Sequence, residues 1–160
     1  PRPAGPYPLA VEVGCGLSPY VRLVMAAGYS YMGIEPDPWA ANETALRFDA
    51  PVVHGRLEDF HSKLPCDLVL CCHALEHMAD APAALKQMHE MLVPGGHLVL
   101  IVPDDTDLVN PDHLWFFSPE SLYSLLTLVG FTVTTVSVRK RIARENFIYC
   151  VARKRGTASG

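Results

Sequence analysis

Two acids, two glycines and three histidines carry most of the chemistry legible in this chain. Glu12 stands two residues before the first glycine of Gly14-Cys15-Gly16, near the end of the apolar run 9–13. An acid buried there needs compensation, and a cationic ligand group is one such partner. The competing role is a glutamate hydrogen-bonded to nearby backbone amides. The two glycines accept positive φ and carry no Cβ to hold a ligand away from the backbone. Glu35 ends the second apolar run, twenty-one residues after Gly14. At that spacing one carboxylate accepts both hydroxyls of a ribose, so an adenosine-type ligand leads. The bland alternative, capping the next helix, suits Asp37 with Pro38 at the first helical position. A dinucleotide fingerprint needs a third glycine at position 19, where this chain has proline, which argues against a nicotinamide-dependent oxidoreductase.

Imidazoles supply the remaining chemistry. His73 and His77, within His73-Ala74-Leu75-Glu76-His77, follow the apolar run 67–72, and His113 lies in a polar stretch with Asp112, Trp115 and Phe116. Imidazole titrates near neutral pH and can take a proton from an acceptor group. His73 and His113 are the candidate catalytic bases, with His73 favoured; for His77, bonding a loop carbonyl is at least as good a role. Cys71, Cys72, His73 and His77 also raise zinc ligation. Consecutive strand side chains point to opposite faces, so a buried apolar pair is the simpler account of the cysteines, and no metal is expected. Trp115-Phe116-Phe117 reads as packing over a helix start rather than as an aromatic clamp.

Alternating strands and helices must position these groups. Residues 9–13, 30–34, 51–54, 67–72, 97–102, 131–138 and 146–151 read as strands, and 20–27, 39–48, 82–92 and 119–129 as helices. Ser18 is expected to cap the first helix with Pro19 in its first turn, and Val21, Val24 and Met25 to face inward. Ser118 and Pro119 open the last helix and Gly130 stops it. The seven residues 139–145 are short enough for a hairpin, which makes the last two strands antiparallel. In a doubly wound α/β sheet the fourth strand lies beside the first, so its exit at His73 faces the same crevice as the glycine turn.

A chain of 160 residues with 49% hydrophobic and 19% charged residues makes one globular domain. We expect a single domain over 1–160, with an extension at 1–8 and a flexible tail at 154–160. No apolar run approaches a membrane span, and the first residues lack a signal-peptide core. Beginning at Pro1, the chain reads as trimmed or excised from a longer one. Five cysteines, an odd number, argue against a disulfide framework and for a cytoplasmic protein. The net charge of −4 divides unevenly, with 6 basic and 16 acidic residues up to 138 and 7 basic and 1 acidic after it. The basic end reads as a solvated hairpin and tail in preference to an anion-docking patch, and neither membrane nor nucleic acid is an expected partner.

Four stretches together resemble the class I S-adenosylmethionine-dependent methyltransferases, particularly the small-molecule type related to ubiquinone-biosynthesis enzymes. They are Val11-Glu12-Val13-Gly14-Cys15-Gly16, Gly33-Ile34-Glu35-Pro36-Asp37, Cys71-Cys72-His73-Ala74-Leu75-Glu76-His77 and Leu92-Val93-Pro94-Gly95-Gly96-His97-Leu98. The segment from Phe117 to Phe131 is also similar. The resemblance implies a Rossmann-like, doubly wound, seven-stranded mixed sheet of order 3-2-1-4-5-7-6 with strand 7 antiparallel. It also implies S-adenosylmethionine as cofactor and a small or medium-sized acceptor. Glu12 with the backbone of Gly14, Cys15 and Gly16 would hold the methionine portion, Glu35 the ribose hydroxyls, and Leu57 with Glu58 or Asp59 the adenine edge; Cys72 and His73 would line the sulfonium side, and Pro36 also belongs to the expected cofactor site. The family often has a third glycine where this chain has Ser18. Families of this type usually carry an N-terminal helix before strand one and an insertion after strand five; here about nine residues precede the strand and the loop from Asp104 to Phe117 is short, which leaves open a second copy, a cap from elsewhere, or a non-catalytic binding or scaffold domain.

Overall fold

The computed structural model describes residues 8–60, 65–104, 110–140 and 146–156. Seven strands, β1 (Leu9–Val13), β2 (Ser30–Glu35), β3 (Val52–His54), β4 (Cys66–Cys72), β5 (Leu92–Pro103), β6 (Phe131–Lys140) and β7 (Asn146–Lys154), form one sheet. Its order is β3-β2-β1-β4-β5-β7-β6. The first five are parallel, and β7 runs antiparallel to both neighbours, as expected. Among the described residues four α-helices cover it: α1 (Val21–Ala26), α2 (Pro38–Phe48), α3 (Ala81–Met91) and α4 (Pro119–Val129).

Two-residue alternation divides the core. Val11, Val69 and Leu98 join the larger cluster, where Leu85 and Met88 of α3 and Leu122 and Leu126 of α4 are fully buried. Burying each such side chain contributes about 1.5–3 kcal/mol. Ala10 and Leu70 face the other way, onto Val21 and Val24 of α1 in a smaller cluster. Glu12 and Cys72 share the parity of Ala10 and Leu70, so the alternation directs them to the α1 face, beyond the end of its thin apolar cover.

Local chemistry sets the helix ends. Asp37 accepts from the Ala40 N–H at the start of α2, Ser118 and Ser121 form a reciprocal capping box on α4, and Gly130 ends α4 in the left-handed region. The first helix departs from expectation. It begins at Val21, its Tyr20 cap position has no side-chain cap bond, and Met25 is exposed. Ser18 accepts from the Tyr20 N–H but donates its hydroxyl to Glu12, so a buried carboxylate has claimed the group that a local rule assigns to capping.

The basic end also differs from a solvated tail. β7 continues past Val151 to Lys154, whose ammonium donates to the carbonyls of His89 and Leu92 at 2.8 Å each. Arg153 donates to the Gly95 carbonyl, and Arg155 to Thr132. Lys154 thus satisfies carbonyls at the end of α3 and the start of β5. Arg141 and Arg144, the middle of the expected basic patch, lie outside the described residues.

Candidate active site

The glycine turn leaves β1 and is bonded to the end of β2. Gly14 and Gly16 adopt φ of 66° and 50°, and the N–H groups of Gly14 and Cys15 both donate to the Ile34 carbonyl. Glu35, 7% exposed, completes the turn: one carboxylate oxygen accepts from the Gly16 N–H at 2.7 Å and the other from the Asp37 N–H at 2.9 Å. Each oxygen keeps a lone pair, so the carboxylate can still accept hydroxyls. Thr44 of α2 donates to the Gly16 carbonyl and fixes the far side of the turn.

Two clefts meet here. The larger, about 620 Å³, has Gly16, Glu35 and Pro36 on one side, Leu57 and Glu58 on another, and Met78 and Leu114 across from them. The smaller, about 360 Å³, includes Glu12, Cys15, Cys72 and Phe147. Gly14 and His73 belong to the walls of both, which makes the clefts neighbours across one turn and one imidazole. All ten expected cofactor-binding residues therefore line this pair of clefts. Asp59, the alternative to Glu58, lines neither. The turn carrying Leu57 and Glu58 is held by Gln87 of α3, which donates to the carbonyls of Leu57 and Phe60.

Glu12 is 2% exposed, yet it borders the smaller cleft. Its oxygens accept from the Ser18 hydroxyl at 2.8 Å and the Tyr31 hydroxyl at 2.6 Å, two side chains rather than backbone amides. Burial raises its pKa, against the lowering effect of the Tyr31 and Ser18 hydrogen bonds. Burial, and next the Glu12 charge, push the Cys15 and Cys72 thiols up to about 12. Both are neutral thiols at physiological pH, unsuited to act as nucleophiles. Cys71, on the opposite strand face, is fully buried, whereas Cys72 is only partly buried at the cleft wall, so the expected buried pair holds for one of the two.

His73 sits immediately after β4 with φ of 53°, an uncommon conformation for a residue with a side chain. Its N–H donates to the Ile101 carbonyl of β5, which holds the strained residue at the cleft wall. His77 bonds the Asp112 carbonyl through Nδ1 at 2.9 Å, the loop-carbonyl role set out above. His113, the other expected base, is in neither cleft wall. Its ring lies edge-on to His77 with centroids 4.9 Å apart, and its Nε2 meets the Asn110 amide at 3.1 Å. Trp115 is half-buried against the core and donates to the Met78 carbonyl, and Phe117 is buried, so these two aromatics pack rather than clamp.

Of three residues around the clefts, two escaped the reading of the chain and Ser18 was read as a helix cap. Ser18 and Tyr31 hold Glu12, and the register that pairs Ala10 with Tyr31 is the signal that places the phenol near the acid. Glu76 is the third. It is 1% exposed, neither carboxylate oxygen has a hydrogen-bond partner among the described residues, and Oε1 lies 3.7 Å from Nδ1 of His73. Its ligating atoms and those of His77 and His113 all fall within 4.8 Å of one another.

Residues 10–136 match the family described as "Methyltransferase domain". The mitochondrial ubiquinone biosynthesis O-methyltransferase of Schizosaccharomyces pombe is 32% identical over 99 residues, which cover 56% of this chain and 36% of that relative. The matched region is thus little more than a third of the relative's length. Among solved structures, the 1,6-didemethyltoxoflavin-N1-methyltransferase of Burkholderia thailandensis, with 1,6-didemethyltoxoflavin and S-adenosylhomocysteine bound, superposes with a TM-score of 0.79. It is 19% identical and covers 93% of this chain and 72% of its own. The N-methyltransferase NodS of Bradyrhizobium japonicum, in complex with S-adenosylhomocysteine, gives 0.79 at 20% identity, covering 92% of this chain and 78% of its own. The chain belongs to the methyltransferase domain family and has the fold of the class I S-adenosylmethionine-dependent methyltransferases.

Proposed function

We propose that the chain binds S-adenosylmethionine across the two clefts and directs its methyl group to a small or medium-sized acceptor. One observation carries the reading: two acids of opposite setting flank a single glycine turn, Glu35 at the larger cleft and Glu12 at the smaller. Glu35 has spare lone pairs for ribose hydroxyls, and apolar Leu57 suits a base. The buried Glu12 suits the cationic amino group of a methionine moiety, and it would repel a pyrophosphate. A Cβ on Gly14 would fill the space between the turn and Ala74, which marks close packing at the junction.

Bound there, the cofactor supplies a methyl group already activated by its sulfonium. The protein's share is to align the acceptor, exclude water and, for acceptors that lose a proton, take that proton. We assign that task to His73, which lines both clefts. All five cysteines are free thiols, and among the described residues no helix is long and apolar enough to cross a membrane. The thiols support a cytoplasmic setting.

Calorimetric titration with S-adenosylmethionine, S-adenosylhomocysteine and NADH tests the reading. Affinities on the order of micromolar for the first two and none for NADH are expected. Silence from all three overturns it, and binding without transfer to any acceptor in a broad screen favours a binding domain.

Glu12 gives a second test with opposite signs for stability and binding. Its pKa in the fold is raised, so the folded chain holds this proton more tightly than the unfolded chain. That contribution to stability is complete below the ordinary carboxylate pKa and is lost as pH rises through the raised value. Glu12→Gln is therefore expected to melt higher than the parent at neutral pH without ligand, and to flatten the pH dependence across that window. It should also bind S-adenosylhomocysteine about three- to tenfold more weakly, for loss of one ion-pair partner. Unchanged affinity would take Glu12 out of ligand binding.

A further inference from the structure

Glu76 is a carboxylate without an apparent reason to be buried. Ionised carboxylates are withdrawn from water at a cost unless paired or hydrogen-bonded, and neither oxygen of Glu76 has a hydrogen-bond partner among the described residues. Its backbone is fixed: the N–H groups of Leu114 and Trp115 donate to its carbonyl at 2.8 and 3.2 Å, so the 110–117 segment folds over it. The neighbouring imidazoles are already committed at one nitrogen. His77 donates Nδ1–H to the Asp112 carbonyl, and His113 meets the Asn110 amide through Nε2. His73, whose side chain is 49% exposed, presents Nδ1 to Glu76 at 3.7 Å. Closure by about half an ångström would make this a hydrogen bond.

We propose that Glu76 is the positioning residue for His73: it accepts Nδ1–H from beneath, fixes the imidazole as the tautomer with a free Nε2, and so presents that nitrogen to the clefts as a base. A histidine's tautomer is set by the bond its other nitrogen makes, and a buried charged acceptor sets it firmly. The proposal rests on the methyl-transfer reading for the identity of the reaction. For an acceptor X–H, the X–C bond forms as the C–S bond breaks. The C–S electron pair stays on sulfur, leaving neutral S-adenosylhomocysteine, and the proton of X–H passes to Nε2 of His73. The resulting imidazolium is held opposite the Glu76 carboxylate. The strained φ of His73 fits this assignment, since it is kept where backbone bonding to Ile101 and the acid below both constrain the ring.

Long-range ¹H–¹⁵N correlation of the ¹⁵N-labelled full chain tests it, with the His73 signals assigned through His73→Asn and recorded at a pH where the ring is neutral. The expected result is a bias of about tenfold toward Nδ1–H in the parent, lost or reversed in Glu76→Gln. Glu76→Gln should keep its S-adenosylhomocysteine affinity within about twofold, because Glu76 lines neither cleft. A parent ring that is mainly Nε2–H overturns the proposal. So does an unchanged tautomer in a Glu76→Gln protein that still binds S-adenosylhomocysteine. Stoichiometric zinc or magnesium carried by the purified parent and lost from Glu76→Gln would also overturn it, by assigning the carboxylate to a cation. The tautomer and the affinity are read separately. A parent that binds no S-adenosylhomocysteine counts against methyl transfer, whereas a missing bias counts against the pair.

Discussion

Gly14→Ala is expected to lower the stability of the ligand-free chain by about 2–5 kcal/mol and to remove detectable S-adenosylhomocysteine binding. Two costs combine. Gly14 has φ of 66°, where an alanine pays about 1–2 kcal/mol. Its new Cβ would also lie well inside van der Waals contact with the Cβ of Ala74, adding about 1–3 kcal/mol of overpacking. Relief requires the turn or residue 74 to move, and both belong to the junction of the two clefts. Gly16→Ala isolates the first cost, because its φ is 50° and its Cβ would meet no atom within 4 Å. Gly14→Ala combined with Ala74→Gly isolates the second, and should recover most of the overpacking cost while the backbone cost remains. Chemical denaturation of all four proteins gives the values. A Gly14→Ala protein no less stable than Gly16→Ala would show that the turn and residue 74 yield freely.

How far the chain could be read without its fold follows from where each constraint comes from. The caps of α2 and α4 are local, set by residues within a few positions of one another, and they appear where the residue types placed them. The antiparallel end of the sheet was legible for the same reason, through a connection too short for a crossover. Ser18 was misread because its hydroxyl answers to Glu12, six residues earlier, whose burial is decided by β2 and α1. Lys154 was misread because the carbonyls it caps lie 62 and 65 residues away. Glu76 drew no notice beside two histidines, since an acid four residues beyond a strand is ordinarily exposed. The 110–117 segment returns over it, with Leu114 and Trp115 donating to its carbonyl, and the same segment sets His113 against His77.

Glu35→Ala should weaken S-adenosylmethionine and S-adenosylhomocysteine binding by about 10- to 100-fold, or about 1–3 kcal/mol, the cost of unpaired hydroxyls and N–H groups at a half-closed site. The structure shows why a nearly isosteric change should do no better. Both carboxylate oxygens accept backbone N–H groups, from Gly16 and from Asp37. In Glu35→Gln one acceptor becomes an NH₂ that must face one of those donors, so the turn loses a bond and gains a repulsion. Glu35→Gln is therefore expected to bind as weakly as Glu35→Ala, where a purely ribose-binding acid would tolerate an amide that still accepts one hydroxyl. The two roles separate on a ligand lacking a ribose hydroxyl. With 2′-deoxy-S-adenosylhomocysteine the parent should lose affinity, while Glu35→Ala, having already lost the acceptor, should show little further loss. If the deoxy ligand costs the parent nothing, the carboxylate serves the glycine turn alone, and the adenosine is recognised through the Leu57 and Glu58 side of the cleft.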